Sequence, residues 1–162
     1  MYDSLIVLAL YVAALGAGLM AGVYFAFSGF IMRSLDQLGA ARAADAMNAI
    51  NEVILRSWFM PLFFGSTLLY SILAALAVFD QDLPGRGLLI IAGLVYVVGM
   101  FLCTAIFNVP LNNRLANAGG DDTSRAESWQ RYLAHWTRWN HLRAGCSLVS
   151  CLLTIQCLAQ LN

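Results

Sequence analysis

Three carboxamides and a guanidinium come directly after the long apolar run 88–107, and they belong to Asn108, Asn112, Asn113 and Arg114. A simple loop needs turn residues, but not this density of paired hydrogen-bond donors and acceptors. Amide and guanidinium groups bind phenolate and enolate oxygens, and they lower the energy of a developing oxyanion most where water is excluded. The segment therefore indicates an anion-stabilising site at the end of a membrane helix.

A second polar set recurs at helical spacing further along the chain. Trp129, Tyr132, Trp136, Asn140 and Arg143 are separated by three or four residues, so they form one stripe of a helix. Flat aromatic molecules stack on tryptophan rings, and arginine keeps its charge in an apolar environment. The stripe is therefore suited to a flat, lipophilic aromatic molecule that carries an oxyanion.

A third polar set lies on the amphipathic helix predicted for residues 41–57. Asn48, Glu52 and Arg56 are four apart and share a face, and Asn51 lies beside them. Glu52 is the carboxylate that would accept a proton, and its spacing to Arg56 also suits a solvated ion pair. We expect the three sets to form one polar cluster at one end of a helix bundle.

The same residues also fit purely structural roles, and this alternative stays open. Asparagine caps helix ends, Trp and Tyr form interfacial belts in membrane proteins, and Arg143 can extend its charged end to the membrane surface. Polar groups at membrane depth are nevertheless often functional. Convergence of the amide groups on a cavity would favour a functional role over a structural one.

The composition places much of the chain in lipid. Of the 162 residues, 60% are hydrophobic and 11% are charged, and the net charge is zero, whereas soluble domains carry about 25% charged residues. Zero net charge gives no reason to expect nucleic acid as a partner. The expected partners are the lipid bilayer and a lipophilic aromatic small molecule. The apolar N-terminus lacks the basic start and cleavage site of a signal peptide, so a retained membrane helix is predicted.

Four apolar runs are long enough to cross a bilayer, which takes about 20 residues of helix. The sequence therefore predicts an all-α, integral membrane four-helix bundle with up-down-up-down topology and cytoplasmic helical extensions. We expect a single domain over residues 1–162, with spans at about 4–31, 58–79, 87–108 and 142–161 and with cytoplasmic segments 33–57 and 109–141.

The distribution of arginine predicts the orientation of the bundle. All nine basic residues are arginines, and eight of them lie in segments 33–57 and 109–143, so that only Arg86 lies on the other side. Basic residues favour the cytoplasmic side of a membrane. Both termini are therefore predicted to lie outside the cytoplasm, in what we take to be a bacterial inner membrane.

Proline and capping residues predict where the helices bend, end and begin. Pro61 is expected to kink the second span, and Pro110 is expected to break or end the third. Ser124 and Glu127 fit a capping box. From this box one long helix is predicted to reach Leu161, because neither glycine nor proline interrupts its first half.

Small residues on the first span predict a close contact between helices. Gly18 and Gly22 form a G-x-x-x-G pattern, which allows two helix backbones to approach each other. We expect this contact within the bundle, with a homo-oligomer through the Gly18/Gly22 face as the alternative. The four cysteines lie in apolar runs and are expected to be small apolar fillers.

No cofactor and no metal site is predicted from the residue patterns. His135 and His141 are six apart and point in different directions on a helix, so a shared metal is not expected. A single axial haem ligand at His141 is the alternative. The sequence has no phosphate-binding glycine loop, dinucleotide fingerprint or nucleophile elbow. No span carries a charged residue at its middle, which disfavours an ion or proton relay.

Four short motifs are spread over nearly the whole chain. They are Gly-Val-Tyr-Phe-Ala-Phe-Ser at 22–28, Ala-Met-Asn-Ala-Ile-Asn at 46–51, Asn-Val-Pro-Leu-Asn at 108–112 and Trp-x-x-x-Asn-x-x-Arg at 136–143. Together these motifs resemble the anthrone oxygenase family of small four-helix membrane proteins. Most bacterial members of that family have no known function, and some fungal members are implicated in oxidising anthrones to anthraquinones.

The resemblance implies a small integral membrane protein that could be a monooxygenase of a lipophilic phenolic substrate, and the mechanism that we expect for it needs no metal or cofactor. A base would remove an acidic C–H, donors would hold the anion, and the carbanion would reduce dioxygen directly. The expected catalytic residues, as anion donors, are Asn108, Asn112, Asn140 and Arg143. The expected substrate-binding residues are Trp136, Asn48, Asn51, Glu52 and Tyr132. The alternative is a non-catalytic membrane protein that binds a quinone, a lipid or a membrane partner.

Overall fold

A computed structural model describes residues 4–119 and 121–161 of the chain. Within these ranges the chain forms five helices and no strand. The helices are α1 (Ser4–Asp36), α2 (Ala40–Ile54), α3 (Phe59–Phe79), α4 (Arg86–Ala116) and α5 (Asp122–Leu161). Two of them contain π-helical turns, which widen the backbone and are frequent at functional sites. These turns are Phe27–Ile31 in α1 and Val95–Leu102 and Thr104–Asn108 in α4.

Four of the helices, α1, α3, α4 and α5, are long and apolar enough to cross a membrane. Each packs against the next along the chain, and α5 closes the bundle by packing along α1. Hydrogen bonds join Asn140 to Tyr24 and Cys151 to Ala14, so α1 and α5 run antiparallel. The predicted all-α, up-down-up-down membrane bundle is therefore confirmed.

A glycine lets two helix backbones approach closely between α3 and α4, and another glycine lies against α5 at ordinary contact distance. A Cβ added to Gly93 would lie 2.5 Å from the Ala74 Cβ, so α3 and α4 pack there without an intervening side chain. A Cβ added to Gly18 would lie 3.7 Å from Cys151 Sγ, whereas none would meet an atom within 4 Å at Gly22. Gly18 therefore packs against α5 within the bundle at ordinary contact distance, and an oligomer through the Gly18/Gly22 face stays a prediction.

A second hydrophobic core lies at one end of the bundle, which we call the polar end. This end consists of α2 and the loop after it, the C-terminal turns of α1 and α4, and α5 as far as Arg143. Met32, Met47, Leu115 and Trp129 are buried together there. The Trp129 indole also donates a 2.7 Å hydrogen bond to Asp36 Oδ1. These contacts hold α2 against the three neighbouring helices and so fix the position of Asn51 on α2.

The prediction that Pro110 ends the third span is wrong. Helix α4 continues through the proline to Ala116. Pro110 follows the π-helical turn Thr104–Asn108 and falls in the first positions of the next helical segment, where the missing N–H breaks no helical hydrogen bond. Asn108 and Asn112 therefore lie four residues apart on one continuous helix.

Two further predictions about helix ends are also wrong. Pro61 lies in the first turn of α3, where a helix needs no N–H donor, so it begins the helix rather than kinking the span. The cap of α5 is Asp121 rather than Ser124, because Asp121 Oδ1 accepts a 2.9 Å hydrogen bond from the Ser124 N–H. This bond lowers the pKa of the Asp121 carboxyl below its usual range.

Glu52 and Arg56 do not form the ion pair that their spacing suggests. Helix α2 ends at Ile54, so Arg56 lies beyond the regular helix and both side chains are exposed. Among residues 4–119 and 121–161, the two ion pairs with short distances are those of Arg125 with Asp45 and of Arg131 with Glu127.

Candidate active site

Arg143 lies buried at the polar end, between two aromatic rings. Its guanidinium carbon is 4.3 Å from the centroid of the Tyr24 ring and 5.0 Å from the Trp136 ring, and only 4% of the residue is exposed. Nη1 donates a 3.4 Å hydrogen bond to Thr104 Oγ1. A desolvated cation–π contact is worth about 2 kcal/mol, so the rings offset part of the cost of burying this charge.

Asn140, on the same helix, fixes the position of Arg143 by a hydrogen bond. Its Oδ1 accepts a 2.5 Å hydrogen bond from Arg143 Nη2, and its Nδ2 donates to the Tyr24 carbonyl at 2.6 Å and to Ser28 Oγ. Ser28 belongs to the π-helical turn of α1. Asn140 is fully buried, and its bonds join α1 to α5, so it acts as a positioning residue for the guanidinium.

No carboxylate pairs with Arg143 in the part of the chain that the structure describes. Its Nε is buried, and within the described ranges it has no hydrogen-bond partner. Arginine stays protonated in proteins, and a buried charge without a counterion costs several kcal/mol. The fold therefore holds a positive charge and an unused donor in a place where an anionic ligand would satisfy both.

Two more polar atoms beside Arg143 lack partners. Asn108 Nδ2 donates to the Trp136 carbonyl at 3.3 Å, which leaves Asn108 Oδ1 buried without a donor. Trp136 Nε1 is likewise buried without an acceptor. An unsatisfied buried polar group costs about 1–3 kcal/mol. The three atoms belong to residues that line one cavity, and they leave one acceptor and two donors unpaired among the described residues.

A cavity of about 340 Å³ lies beside these polar groups. Arg143, Trp136 and Asn108 form its polar side, together with Thr104 and Asn112. The remaining wall is apolar and largely aromatic, and its rings are those of Tyr24, Phe27, Phe59, Phe63, Phe64 and Phe101. Ligand sites typically combine an apolar wall with a few convergent polar groups, so the cavity has the character of a site for a flat aromatic molecule.

A second pair of amides flanks the Tyr132 hydroxyl, next to the cavity. Tyr132 Oη donates a 2.9 Å hydrogen bond to Asn112 Oδ1. Asn51 lies beside the same hydroxyl, although its Nδ2 makes no hydrogen bond. The rings of Tyr132 and Trp136 stack with centroids 6.0 Å apart. Tyr132 does not itself line the cavity, but it holds Asn112 by this hydrogen bond and packs against the Trp136 ring.

The structure gathers five of the nine predicted site residues around the cavity, namely Asn51, Asn108, Asn112, Trp136 and Arg143. Asn140 and Tyr132 lie behind this lining and hold Arg143 and Asn112 by hydrogen bonds. Asn48 and Glu52 do not line the cavity, and Glu52 is exposed. The reason is that α2 faces the cavity with the stripe of Met47, Asn51 and Ile54.

Part of the cavity wall was not predicted from the sequence. Thr104 gave a signal, because it lies four residues before Asn108 and eight before Asn112 on one helical face. Phe63 and Phe101, whose ring centroids are 5.4 Å apart across α3 and α4, gave none. In an apolar span, a phenylalanine that faces a cavity has the same sequence context as one that faces lipid.

Only two titratable side chains, Tyr24 and Arg143, line the cavity among the described residues. No group of three or more His, Cys, Asp or Glu that could hold a metal occurs within residues 4–119 and 121–161. His141 lies elsewhere, in a surface groove beside Arg33 and Arg138. The chain's own contribution to the cavity is thus a positive charge, neutral hydrogen-bonding groups and aromatic surfaces.

Comparison with known proteins bears on this arrangement. No curated protein and no solved structure has a significant match to the chain. A family model described as anthrone oxygenase matches residues 55–153, a segment that includes Asn108, Trp136 and Arg143. The match confirms the resemblance of the motifs at 108–112 and 136–143. Because it covers more than half of the sequence, the chain belongs to the anthrone oxygenase family.

Proposed function

We propose that the protein oxidises a lipophilic, hydroxylated anthrone-like molecule to the corresponding quinone with dioxygen. The observation that carries this proposal is the buried Arg143 guanidinium, which faces an aromatic-lined cavity and has no carboxylate partner among the described residues. An anthrone becomes reactive toward dioxygen when it loses a proton to form a phenolate-like anion. A preorganised positive charge stabilises that anion strongly in a site with little water.

The shape and polarity of the cavity suit this class of substrate. Its volume of about 340 Å³ falls in the range of about 300–1,000 Å³ that is usual for ligand pockets. The phenylalanine wall would contact the ring system of the substrate. Arg143 Nε and Trp136 Nε1 would donate to its oxyanion, and Asn108 Oδ1 would accept from a neighbouring hydroxyl group.

The first step forms the substrate anion. Glu52, which the sequence suggested as the base, is exposed and does not line the cavity, so it is not placed to take this proton. Instead, Arg143 lowers the pKa of the bound substrate, since a positive charge nearby favours the ionised form. The proton then passes to water, and the chain itself needs to supply only the electrostatic field and the donors.

The second step joins the anion to dioxygen with all atoms and electrons accounted for. The carbanion transfers one electron to dioxygen, and the resulting carbon radical and superoxide combine to form a C–O bond and a peroxide anion, which takes up a proton. The remaining proton then leaves the same carbon, and its C–H electron pair becomes the second C–O bond. The O–O bond breaks to release hydroxide, which takes up a proton and becomes water. The net change converts CH₂ and O₂ into C=O and H₂O.

A non-catalytic binding protein for quinones or similar molecules is the second candidate. The absence of a carboxylate, histidine or cysteine from the described cavity lining favours it, because such groups are the usual acids and bases of enzymes. The two candidates differ in turnover. A binding protein would retain the aromatic molecule without accelerating its reaction with dioxygen.

The test is oxidation of a hydroxyanthrone by the purified protein in lipid nanodiscs under ¹⁸O₂. The proposal predicts quinone formation well above the uncatalysed rate and one ¹⁸O atom in the new carbonyl group. Tight binding of the hydroxyanthrone with no acceleration would contradict the enzyme proposal and support the binding protein. Empty nanodiscs provide the control for spontaneous oxidation.

The orientation in the membrane is proposed on the basis of arginine. The polar end carries eight of the nine basic residues, so it would face the cytoplasm and both termini would lie on the other side of a bacterial inner membrane. Reporter fusions at the C-terminus test this. At the C-terminus, a reporter that works only outside the cytoplasm is expected to be active. Activity of a reporter that works only in the cytoplasm would reverse the proposed orientation.

A further inference from the structure

A surface groove at the polar end lies between α1 and α5 and is distinct from the aromatic cavity. Its volume is about 470 Å³. Three basic side chains, Arg33, Arg138 and His141, line it from two helices, and Met32 and Leu133 add apolar surface. None of these basic side chains lines the cavity that holds Arg143.

The positive charges of the groove have no counterion among residues 4–119 and 121–161. The lining contains no aspartate or glutamate, and Arg33 and Arg138 take part in neither ion pair of the described residues. Thr137, which also lines the groove, has a buried hydroxyl group without a hydrogen-bond partner. Asp36, on the same helix as Arg33, is already bonded to Trp129 and Gln130. The groove thus combines unpaired cations with an unused hydroxyl group.

The groove lies at the level where the uncharged parts of both helices begin. Residues 4–32 carry no charge, and Arg33 is the first charged residue after them. On α5, residues 144–161 are uncharged, and Arg138 and His141 come shortly before them. In a bilayer this is the level of the phospholipid phosphates, which border the hydrocarbon core.

We infer that this groove binds the phosphate group of an anionic phospholipid. Arg33 and Arg138 would hold the phosphate from two sides, because guanidinium groups match phosphate oxygens in geometry and charge. His141 and Thr137 would each add a hydrogen bond. Basic pockets between membrane helices bind anionic headgroups in this way. The lipid would join α1 to α5 at the end of the bundle where Ser28 and Asn140 already join them.

Lipid titration followed by native mass spectrometry tests the inference on the full chain in detergent. The probes are phosphatidylglycerol, phosphatidylcholine and inorganic phosphate. Wild-type protein should bind phosphatidylglycerol in preference to phosphatidylcholine. The double variant R33Q/R138Q should bind phosphatidylglycerol about 30-fold more weakly, since each basic residue near an anionic lipid contributes about fivefold. Thr137→Val should show a smaller loss.

The matched control is the double variant R42Q/R114Q, which removes the same charge from two exposed arginines at the same end that do not line the groove. It should bind phosphatidylglycerol as the wild type does. Equal affinity of wild type and R33Q/R138Q, or equal loss in both double variants, would overturn the inference. Inorganic phosphate that displaces the lipid at similar concentration would indicate a site for a free anion instead, which also overturns it.

Discussion

The Arg143 guanidinium donates a 2.5 Å hydrogen bond to Asn140 Oδ1, three residues earlier on α5. The Asn140 Nδ2 group donates its two hydrogens to the Tyr24 carbonyl and to Ser28 Oγ, both on α1. The cation of the cavity is therefore held by a carboxamide, whereas most buried arginines are held by a carboxylate. A neutral partner fixes the position of the guanidinium but leaves its charge uncompensated and available to a substrate anion.

Replacing Asn140 by Ala should affect both stability and turnover. The variant loses three buried hydrogen bonds, and leaving even one buried partner unsatisfied costs about 1–3 kcal/mol. We expect a lower melting temperature in detergent and a kcat reduced by at least tenfold, because Arg143 loses its fixed position. Asn117→Ala, which removes an exposed carboxamide, serves as the control. Wild-type kcat in a folded Asn140→Ala variant would contradict the positioning role.

Asn108 should recognise a hydroxyl group of the substrate. Asn108→Leu has nearly the same size but lacks the acceptor Oδ1, which is unpaired in the protein. We expect KM for a hydroxylated anthrone to rise about tenfold, as for the loss of one buried hydrogen bond. An analogue without that hydroxyl group should bind equally well to both proteins. If the variant discriminated between the two ligands as the wild type does, the assignment would be wrong.

Filling the cavity should weaken the binding of an aromatic ligand without disturbing the polar groups. Ala105 lines the cavity, whereas its neighbour Ile106 is 58% exposed on the outer face of α4. Ala105→Phe should therefore reduce binding of an aromatic ligand at least tenfold, and Ile106→Phe should leave it unchanged. Isothermal titration in detergent measures both. Equal binding by the two variants would show that the ligand occupies another site.

The sequence could predict the helices and the stripe on α5 because both depend on periodicity within one segment. It could not predict how α2 is rotated about its own axis. The sequence predicts Asn48, Asn51 and Glu52 alike as substrate-binding residues. Packing of Met47 into the second core, however, places only Asn51 of the three in the cavity lining. That rotation is a property of tertiary contacts, which no single-segment pattern contains.

The continuation of α4 through Pro110 and the aromatic wall of the cavity could not be predicted from the sequence. The reasons differ. Proline normally ends a helix, and only the π-helical turn Thr104–Asn108 before it makes continuation favourable. Phe59, Phe63 and Phe101 line the cavity, but a hydropathy pattern does not distinguish a lipid-facing ring from a cavity-facing ring. Such residues are identified only once the helices are packed.

The ionisation of the bound substrate should depend on Arg143. A positive charge favours the anion, so the pKa of a bound phenol should be lower in wild-type protein than in Arg143→Gln. Turnover should accordingly rise with pH and reach its plateau at lower pH in the wild type than in the variant. Absorbance titration of a bound hydroxyanthraquinone, which does not turn over, measures the shift directly. Identical titration curves would mean that the guanidinium does not contact the oxyanion.

The most direct test of the proposed function is the rate of quinone formation by Arg143→Gln at saturating hydroxyanthrone. Loss of a preorganised donor to a developing oxyanion lowers kcat by about 10²–10³, and we expect a loss of this size. Arg143→Lys should recover part of the rate, because it keeps the charge but not the planar geometry. A folded Arg143→Gln protein that binds the substrate and turns it over at the wild-type rate would contradict the central claim.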